Sequence, residues 1–233
     1  MTSASLSGVD ELECDPHLRA VQAVAAASRV GPLYLVGGYL RDLLIGRTRV
    51  RRIDLDLVIW GKPELFGRDL VTALEGSLIR LEPETVRAIV RSAGMIVQID
   101  ISRSKGETIE DDLALRDFTV NAMAVRLNLP DRQAGELAAV IIDPAGGLND
   151  LREKRLRALA PSAFDLDPLR LIRAIRLAAE LGFTIEETTR RWIIERASLL
   201  GTVAGERLRD ELFRILDTVP AAPWIEHLDV LQL

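Results

Sequence analysis

The stretch Ile53-Asp54-Leu55-Asp56-Leu57-Val58-Ile59 constrains the fold more than any other part of this sequence. Its branched and apolar residues are typical of a buried β-strand, yet two aspartates interrupt them. Because the side chains of a strand alternate between its two faces, Asp54 and Asp56 share one face, roughly 7 Å apart. The sequence therefore predicts a sheet with one apolar face in a core and two carboxylates projecting from the other.

Two carboxylates on one face repel each other unless a cation joins them. A hard divalent cation such as Mg²⁺ takes oxygen ligands and keeps positions open for phosphate. An isolated Asp-x-Asp is equally consistent with a solvated strand face. Asp100, a lone acid in the strand-like run Val97-Gln98-Ile99-Asp100-Ile101, is a candidate third carboxylate if its strand lies beside that of Asp54. The alternative for Asp100 is an edge-strand acid that faces water.

A second feature precedes these aspartates, where a strand-like run passes through Gly37 and Gly38 into a short predicted helix. Such a turn exposes backbone N–H groups to an anion, and glycine lets a phosphate approach closely. Arg41, in the first helical turn, is expected to add positive charge. Glycine turn and aspartates together suggest phosphoryl chemistry, in which two metal ions activate an attacking hydroxyl and stabilise a leaving pyrophosphate.

The apolar pattern changes near residue 160. We therefore expect a mixed α/β domain over residues 1–160 and an all-helical domain over residues 161–233. The helical segments predicted in the second domain are 167–181, 186–197 and 205–218. In the first domain, the predicted helices are 16–30, 39–45 and 63–76, the predicted strands are 33–36, 53–60, 78–81, 85–91, 95–102, 122–127 and 140–142, and the polar segment 104–110 is a predicted mobile loop.

Composition excludes several classes of protein. Hydrophobic residues make up 48% of the chain and charged residues 28%, which suits a globular core. A single cysteine, Cys14, excludes an internal disulfide framework. No apolar run reaches the roughly 20 residues of a membrane helix, and the N-terminus lacks a signal-peptide pattern, so a cytoplasmic protein is expected. The net charge of −5 requires any nucleic-acid contact to come from local patches.

Five motifs in fixed order make the chain resemble the class II tRNA nucleotidyltransferases and bacterial poly(A) polymerases. The motifs are Gly37-Gly38-x-x-Arg41-Asp42-x-x-x-Gly46 with Asp54-x-Asp56, Arg116-Asp117-Phe118-Thr119-Val120-Asn121-Ala122-Met123-Ala124, Asp143-Pro144-x-Gly146-Gly147-x-x-Asp150-Leu151 ending in Leu156-Arg157, Asp167-Pro168-Leu169-Arg170-Leu171-Ile172-Arg173-Ala174-Ile175-Arg176, and Glu206-Arg207-Leu208-x-x-Glu211-Leu212-x-x-Ile215-Leu216.

The resemblance implies a catalytic head with a nucleotidyltransferase fold, built on a mixed β-sheet, and a helical neck. It implies that Asp54 and Asp56 hold Mg²⁺ in a two-metal site, and that Arg116 and Asp117 lie near the ribose of the incoming nucleotide. Asn121, in the same motif, is a further candidate for nucleotide binding. The implied reaction is untemplated addition to an RNA 3′ end, with CTP and ATP as substrates and tRNA as the partner.

The fourth motif also has a physical interpretation. On a helix, Asp167 and Arg170 are neighbours on one face. Aspartate accepts hydrogen bonds and arginine donates them, whereas cytosine and adenine each offer an amino donor beside a ring-nitrogen acceptor. Such a pair can accept C or A and reject U and G, because a wrong base leaves polar groups unpaired. An ordinary surface salt bridge is the alternative, and the other motifs favour base reading.

Arg173 and Arg176 continue the same helical stripe and are expected to bind nucleotide phosphate or RNA, with pairing to acids of the head as the alternative. The fifth motif has an apolar stripe, which predicts a structural helix that braces the base-reading helix.

Two positions depart from the family pattern: Leu115 stands where a second arginine is usual, and Leu166 where Glu or Arg usually precedes the fourth-motif aspartate. Family members continue with helical body and tail domains, which this chain, ending at Leu233, is expected to lack. We therefore expect weak tRNA affinity with a shallow salt dependence.

The leading prediction is a tRNA nucleotidyltransferase that adds CMP and/or AMP to the tRNA 3′ end. A bacterial poly(A) polymerase ranks second, because Leu166 is not the arginine associated with that branch. A catalytically weak relative that binds nucleotide or RNA is the third interpretation. The intact Asp54-x-Asp56 pair argues against it.

Overall fold

The computed structural model describes residues 9–28, 30–47, 53–128 and 141–233. The chain forms two compact units, one of residues 1–113 with 121–144 and one of residues 114–120 with 145–233. The first unit is mixed α/β and the second is mainly helical, which confirms the predicted fold class. The domain boundary at residue 160 stays a prediction.

A seven-stranded mixed sheet forms the centre of the first unit. Its strands are β1 (Leu33–Val36), β2 (Ile53–Ile59), β3 (Ser77–Glu82), β4 (Thr85–Ser92), β5 (Met95–Arg103), β6 (Ala124–Arg126) and β7 (Ile141–Ile142). They are ordered β3-β4-β5-β2-β1-β6-β7. Only β2 and β5 pair in parallel, and the other neighbours are antiparallel. Strand β6 is shorter than predicted, because Thr119–Asn121 form a 3-10 turn before it.

Five α-helices belong to the described part of this unit, and several of them pack directly on the sheet. The five helices are α1 (Val9–Cys14), α2 (Pro16–Ser28), α3 (Gly37–Leu44), α4 (Pro63–Ala73) and α5 (Ile109–Ala114). Helix α4 packs on β3 and β4, close enough that a Cβ on Gly67 would lie 2.7 Å from a methyl carbon of Leu78 on β3 and 3.1 Å from one of Val86 on β4. On β2, Leu55 and Leu57 are fully buried. The predicted alternation of β2 is therefore confirmed.

Segment 104–110 contains the predicted loop, and hydrogen bonds connect it to the end of β2. Ser104 donates its backbone N–H to the Ile59 carbonyl at 2.9 Å, and the Trp60 indole donates to the Glu107 carbonyl at 3.1 Å. Helix α5 begins inside the segment, at Ile109. Acidic side chains in the first turn of α5 favour an early helix start, which the glycine-based prediction missed.

The second unit contains six α-helices, a 3-10 helix (Ala197–Thr202) and a two-stranded sheet among its described residues. The helices are α6 (Gly147–Arg152), α7 (Ser162–Leu166), α8 (Leu169–Leu181), α9 (Glu187–Arg196), α10 (Gly205–Leu216) and α11 (Ala222–Val230), and the parallel strands are β8 (Arg155–Leu156) and β9 (Thr184–Ile185). The prediction of an all-helical segment from 161 onward is wrong at β9. The backbone there extends because Thr184 and Glu186 donate to the carbonyls of Lys154 and Leu156 at 2.9 Å.

Helix α8 packs against both α10 and α11, so the fourth and fifth motifs lie on neighbouring helices of this unit. None of the helices in the described ranges has the length and apolar character that would let it span a bilayer.

Candidate active site

Asp54 and Asp56 share one face of β2. The strand register aligns Asp56 with residues of three other strands, so that four directly paired residues form a row across the sheet. Asp56 lies opposite Asp100 of β5 on one side and opposite Val36 of β1 on the other. Asp100 in turn lies opposite Arg87 of β4. Because directly paired residues of neighbouring strands point to the same face, the row brings three of its side chains, from Arg87, Asp100 and Asp56, together.

The strand of Asp100 lies beside that of Asp54, as a third metal ligand requires. The contacts of Asp100 nevertheless do not support its role as a third metal ligand. Both carboxylate oxygens of Asp100 accept hydrogen bonds from Arg87, Nε to Oδ1 at 2.6 Å and Nη2 to Oδ2 at 2.7 Å. No cluster of three metal-ligating side chains occurs in the described part of the chain. The hydrogen bond to Asp100 raises the pKa of the Arg87 guanidinium, and the charges of Asp54 and Asp56 raise it further.

The Gly37-Gly38 turn lies at the β1 end of this row. Strand β1 stops at Val36, directly opposite Asp56, and Gly37 follows with a φ of 77°. A residue with a Cβ rarely adopts this left-handed conformation, so the reversal from strand to helix requires glycine. The predicted anion-binding turn therefore adjoins the predicted metal carboxylates.

Arg41, which is expected to add positive charge at this turn, is a buried residue that is 2% exposed. Its guanidinium donates to Asn121 Oδ1 at 2.6 Å and to Asp42 Oδ1 at 2.8 Å. The pairing joins the first motif to the second. Because both partners lie within the protein, Arg41 orders the turn, and a direct contact with a bound anion is not supported.

The donor set of β2 fits Mg²⁺. Asp54 and Asp56 are half-buried carboxylates on one face. Proteins usually bind Mg²⁺ through one or two carboxylates and leave the remaining positions to water and substrate phosphates. Asp54 and Asp56 are the residues that would hold the ion.

In the second unit, Asp167 and Arg170 do not form the predicted pair along a helix. Helix α8 begins at Leu169, and Asp167 before it is extended, with φ −147° and ψ 96°. Pro168 favours this, because a steric clash disfavours the helical region for the residue before a proline. The Asp167 carboxylate instead accepts hydrogen bonds from the Leu169 backbone at 3.3 Å and from Arg207 of α10 at 3.1 Å.

Backbone carbonyls hold the guanidinium of Arg170. It donates to the carbonyl oxygens of Leu115 at 3.2 Å, Arg116 at 3.3 Å and Ala163 at 3.2 Å. Burial lowers the pKa of Arg170. The orientation of Arg170 therefore depends on the backbone at the start of the second motif. Leu115, which replaces the usual arginine, still accepts a hydrogen bond from Arg170 through its backbone carbonyl.

Arg173 connects the second, fourth and fifth motifs. Its guanidinium lies 3.5 Å from Asp117 Oδ2 and donates to Glu211 Oε1 at 3.1 Å. Asp117 also accepts from the backbone of Phe118 at 2.8 Å. Burial lowers the pKa of Arg173, but the carboxylates of Asp117 and Glu211 outweigh burial, so the net shift is upward.

Arg176 is 6% exposed and is enclosed by acids of its own unit. It pairs with Glu211, and its Nη1 lies 2.9 Å from Glu180 Oε2. Arg214 binds Glu180 from the other side at 2.9 Å. The predicted contact of Arg176 with phosphate or RNA is therefore not supported. Its partners are acids of the helical unit, so Arg176 braces α8 against α10.

Asp150 of the third motif anchors the second unit internally. It is fully buried and accepts hydrogen bonds from Thr119 Oγ1 at 2.6 Å, Arg155 Nε at 2.8 Å and Arg157 Nε at 2.9 Å. Three donors satisfy its charge, which makes it a structural residue.

Comparison with known families agrees with the motifs and the geometry. The family described as the poly A polymerase head domain matches residues 33–157, and the family described as a probable RNA- and SrmB-binding site of polymerase A matches residues 182–233. The chain belongs to the class II tRNA nucleotidyltransferase and poly(A) polymerase family. The resemblance inferred from the five motifs is thereby confirmed, with its nucleotidyltransferase-fold head.

The relatives to which this chain is similar are named as nucleotide-adding enzymes of tRNA. A CC-adding tRNA nucleotidyltransferase of Geobacter sulfurreducens is 40% identical over 204 residues, which is 87% of this chain and 45% of the relative. An A-adding tRNA nucleotidyltransferase of Deinococcus radiodurans is 36% identical over 85% of this chain and 43% of its own length. The solved Thermotoga maritima CCA-adding enzyme complexed with tRNA is 32% identical, with a TM-score of 0.81, over 96% of this chain and 54% of that one. The chain spans about half the length of the proteins it matches.

Sequence reasoning did not assign contacts with the candidate residues to Arg87, Arg207, Glu180 or Glu211. Arg87 had a weak signal, because strand alternation from buried Val86 and Ala88 places it on the polar face. Arg207 and Glu211 were seen within a motif but were interpreted only as flanks of an apolar stripe. Their contacts with Asp167, Arg173 and Arg176 depend on how α10 packs on α8.

Proposed function

We propose that this chain provides the nucleotidyl-transferring part of a tRNA nucleotidyltransferase, which adds CMP and/or AMP from CTP or ATP to the tRNA 3′ end and releases pyrophosphate. The observation that carries the proposal is the adjacency of Asp56 to the end of β1, where the Gly37-Gly38 turn begins. The CC-adding and A-adding names of the relatives support the choice of nucleotides.

In the proposed reaction, Asp54 and Asp56 hold Mg²⁺, and backbone N–H groups at Gly37 and Gly38 bind the triphosphate. When bound, Mg²⁺ supplies Lewis-acid stabilisation of the attacking hydroxyl and of the leaving pyrophosphate. The 3′-hydroxyl oxygen of the RNA forms a bond to the α-phosphorus, and the bond to the bridging oxygen of pyrophosphate breaks. The hydroxyl proton passes to solvent.

Selection of the base rests on Asp167 and Arg170 in the proposal. The Asp167 carboxylate accepts the amino group of cytosine or adenine, and Arg170 donates to the neighbouring ring nitrogen. The carbonyl contacts of Arg170 fix its direction in advance, which favours discrimination by geometry. Arg116 and Asp117 are proposed to lie near the ribose, with Arg173 holding the Asp117 carboxylate.

The test is incubation of tRNA lacking its 3′ end with this chain, Mg²⁺ and each labelled nucleotide separately. We expect CTP or ATP, and not UTP or GTP, to be incorporated. Absence of incorporation, under conditions in which a full-length relative is active, would reject the proposal. The Asp54→Asn variant must be inactive in the same assay, which excludes a contaminating enzyme.

A poly(A) polymerase is the second candidate, favoured by the description of the family that matches residues 33–157. That activity would extend many RNAs with long tails from ATP alone. Product length on tRNA separates the two, because a tRNA nucleotidyltransferase stops after one to three additions.

A further inference from the structure

Arg87 of β4 and Asp100 of β5 form a bidentate ion pair. Two parallel hydrogen bonds of 2.6 and 2.7 Å join the guanidinium fork to both carboxylate oxygens. The side chains are 31% and 28% exposed, so solvent screens the pair only in part. A bidentate pair of this kind holds its arginine in one orientation, which a lysine cannot reproduce.

The pair lies on the same sheet face as the proposed metal carboxylates. Asp100 is the direct cross-strand neighbour of Asp56, and Arg87 is one strand further away. Neighbouring strands are separated by about 4.8 Å, so the backbones of Arg87 and Asp56 are roughly 10 Å apart. At this distance the guanidinium acts on Asp54 and Asp56, whose charges in turn raise the pKa of Arg87.

Taken by themselves, these four residues carry three carboxylates, those of Asp54, Asp56 and Asp100, and one guanidinium, which sum to a charge of −2. Without Arg87 the charge would be −3, and Asp100 would be free to turn toward the cation. Without Asp100, Arg87 would lose its anchor and its nearest acids would be the metal carboxylates themselves.

We propose that Arg87 is a positioning residue, which holds Asp100 out of the metal coordination sphere and thereby sets the affinity of Asp54 and Asp56 for the divalent cation. The inference rests on the proposed function, because it takes the Asp54-x-Asp56 pair as the metal site. Asp100 is then the anchor of Arg87 and does not ligate the ion.

Titration of the whole chain with Mn²⁺, with free Mn²⁺ followed by electron paramagnetic resonance, tests this without any turnover. In Arg87→Met we expect the Kd for Mn²⁺ to fall roughly tenfold, and in Asp100→Asn to rise roughly tenfold, the effect of one charge at this distance. The double variant restores the net charge of −2 and should bind within about threefold of wild type. Arg87→Lys keeps the positive charge but cannot form the two parallel hydrogen bonds. Its Kd for Mn²⁺ should lie between the values of wild type and Arg87→Met.

The matched control is Arg91→Met, which removes an arginine from the same face of β4. Arg91 lies four residues after Arg87, further along the strand from Asp100. Its Kd should equal that of wild type. Circular dichroism of each variant checks the fold.

Two results would overturn the inference alone. One is a double variant that binds Mn²⁺ tenfold or more weakly than wild type, because Asp100 would then be a ligand. The other is an Arg87→Met variant whose affinity matches that of Arg91→Met. If wild type binds Mn²⁺ no more tightly than Asp54→Asn, the metal site of the proposed function fails, and the inference fails with it.

Discussion

Arg207 donates from a single nitrogen to both carboxylate oxygens of Asp167, with Nη2 at 3.2 Å from Oδ1 and 3.1 Å from Oδ2. The arginine side chain is 53% exposed and the aspartate side chain 25% exposed. A pair this exposed contributes only about 0–1 kcal/mol, so another donor can replace it at little cost. The guanidinium therefore occupies the acceptor that the proposed function assigns to the amino group of the incoming base.

Removing this competitor should strengthen nucleotide binding. In Arg207→Gln we expect the KM for CTP and ATP to fall about threefold, the size of a weak exposed contact, with kcat unchanged. Steady-state kinetics on tRNA lacking its 3′ end measures both constants. Arg209→Gln, on the same helix and paired with its neighbour Asp210, is the control. A rise in KM would mean that Arg207 positions Asp167 for the base.

Asp167→Asn should relax selection among nucleotides, because its amide donates as well as accepts. We expect the ratio of kcat/KM for CTP over UTP to fall by at least about tenfold, as the wrong base no longer leaves a polar group unpaired. The control is Asp165→Asn, two residues earlier and paired with Arg196 at 3.0 Å. An unchanged CTP/UTP ratio in Asp167→Asn would contradict the base-reading role.

Asp54→Asn and Asp56→Asn should each lower kcat by roughly a thousandfold, since a bound metal ion stabilises transition-state charge by several kcal/mol. Both residues are only half-buried, so thermal unfolding should shift little. Asp69→Asn, an exposed aspartate of α4, should retain full activity. Activity in either β2 variant close to that of Asp69→Asn would remove the basis of the proposed mechanism.

Glu211→Gln should destabilise the helical unit strongly. Glu211 is 7% exposed and carries ion pairs to both Arg173 and Arg176. Removing one charge from a buried network leaves its partners uncompensated, so we expect the free energy of unfolding to drop by about 3–5 kcal/mol. Urea denaturation followed by circular dichroism measures the change, with the exposed Glu206→Gln of the same helix as control. A change as small as that of the control would show that the network contributes little.

Stability should fall in acid partly through Glu186, which caps α9. Its Oε2 accepts from the Thr189 backbone at 2.7 Å and from the Thr189 hydroxyl at 3.0 Å. Burial raises the pKa of Glu186, but hydrogen bonds to the carboxylate outweigh it and lower the pKa below the ordinary 4.5. A depressed pKa contributes stability above the unfolded-state value, which is lost as the pH falls through the folded-state value.

Glu186→Gln should therefore be less stable than wild type at neutral pH and should converge with it as the pH falls through the lowered folded-state pKa of Glu186, since protonation removes the same interaction. Thermal melts across this range measure the difference. Glu187→Gln, whose side chain is 79% exposed, is the neighbouring control and should follow wild type at every pH. A constant gap between Glu186→Gln and wild type would exclude the titration of this cap as the cause.

Sequence reasoning succeeded where a local period or a fixed turn determined the structure. The alternation through Asp54 and Asp56, the glycines that end β1 and the apolar stripes of α8 and α10 each depend on nearby residues alone, and all of these features occur, with α8 beginning two residues later than predicted. The five ordered motifs identified the family for the same reason, because motif order is a property of the chain.

The tertiary structure determined which charged side chains form ion pairs with one another. Asp100 pairs with Arg87, Asp167 with Arg207, and Arg176 with Glu211, three pairs whose members lie on different strands or on different segments of the helical unit. A charged side chain satisfies its hydrogen bonds with whichever opposite charge the packing of elements brings within reach, and burial excludes the water that would otherwise compete. The sequence determined which residues carry the chemistry and which face they occupy, while strand register and helix packing determined which of them remain available to a ligand.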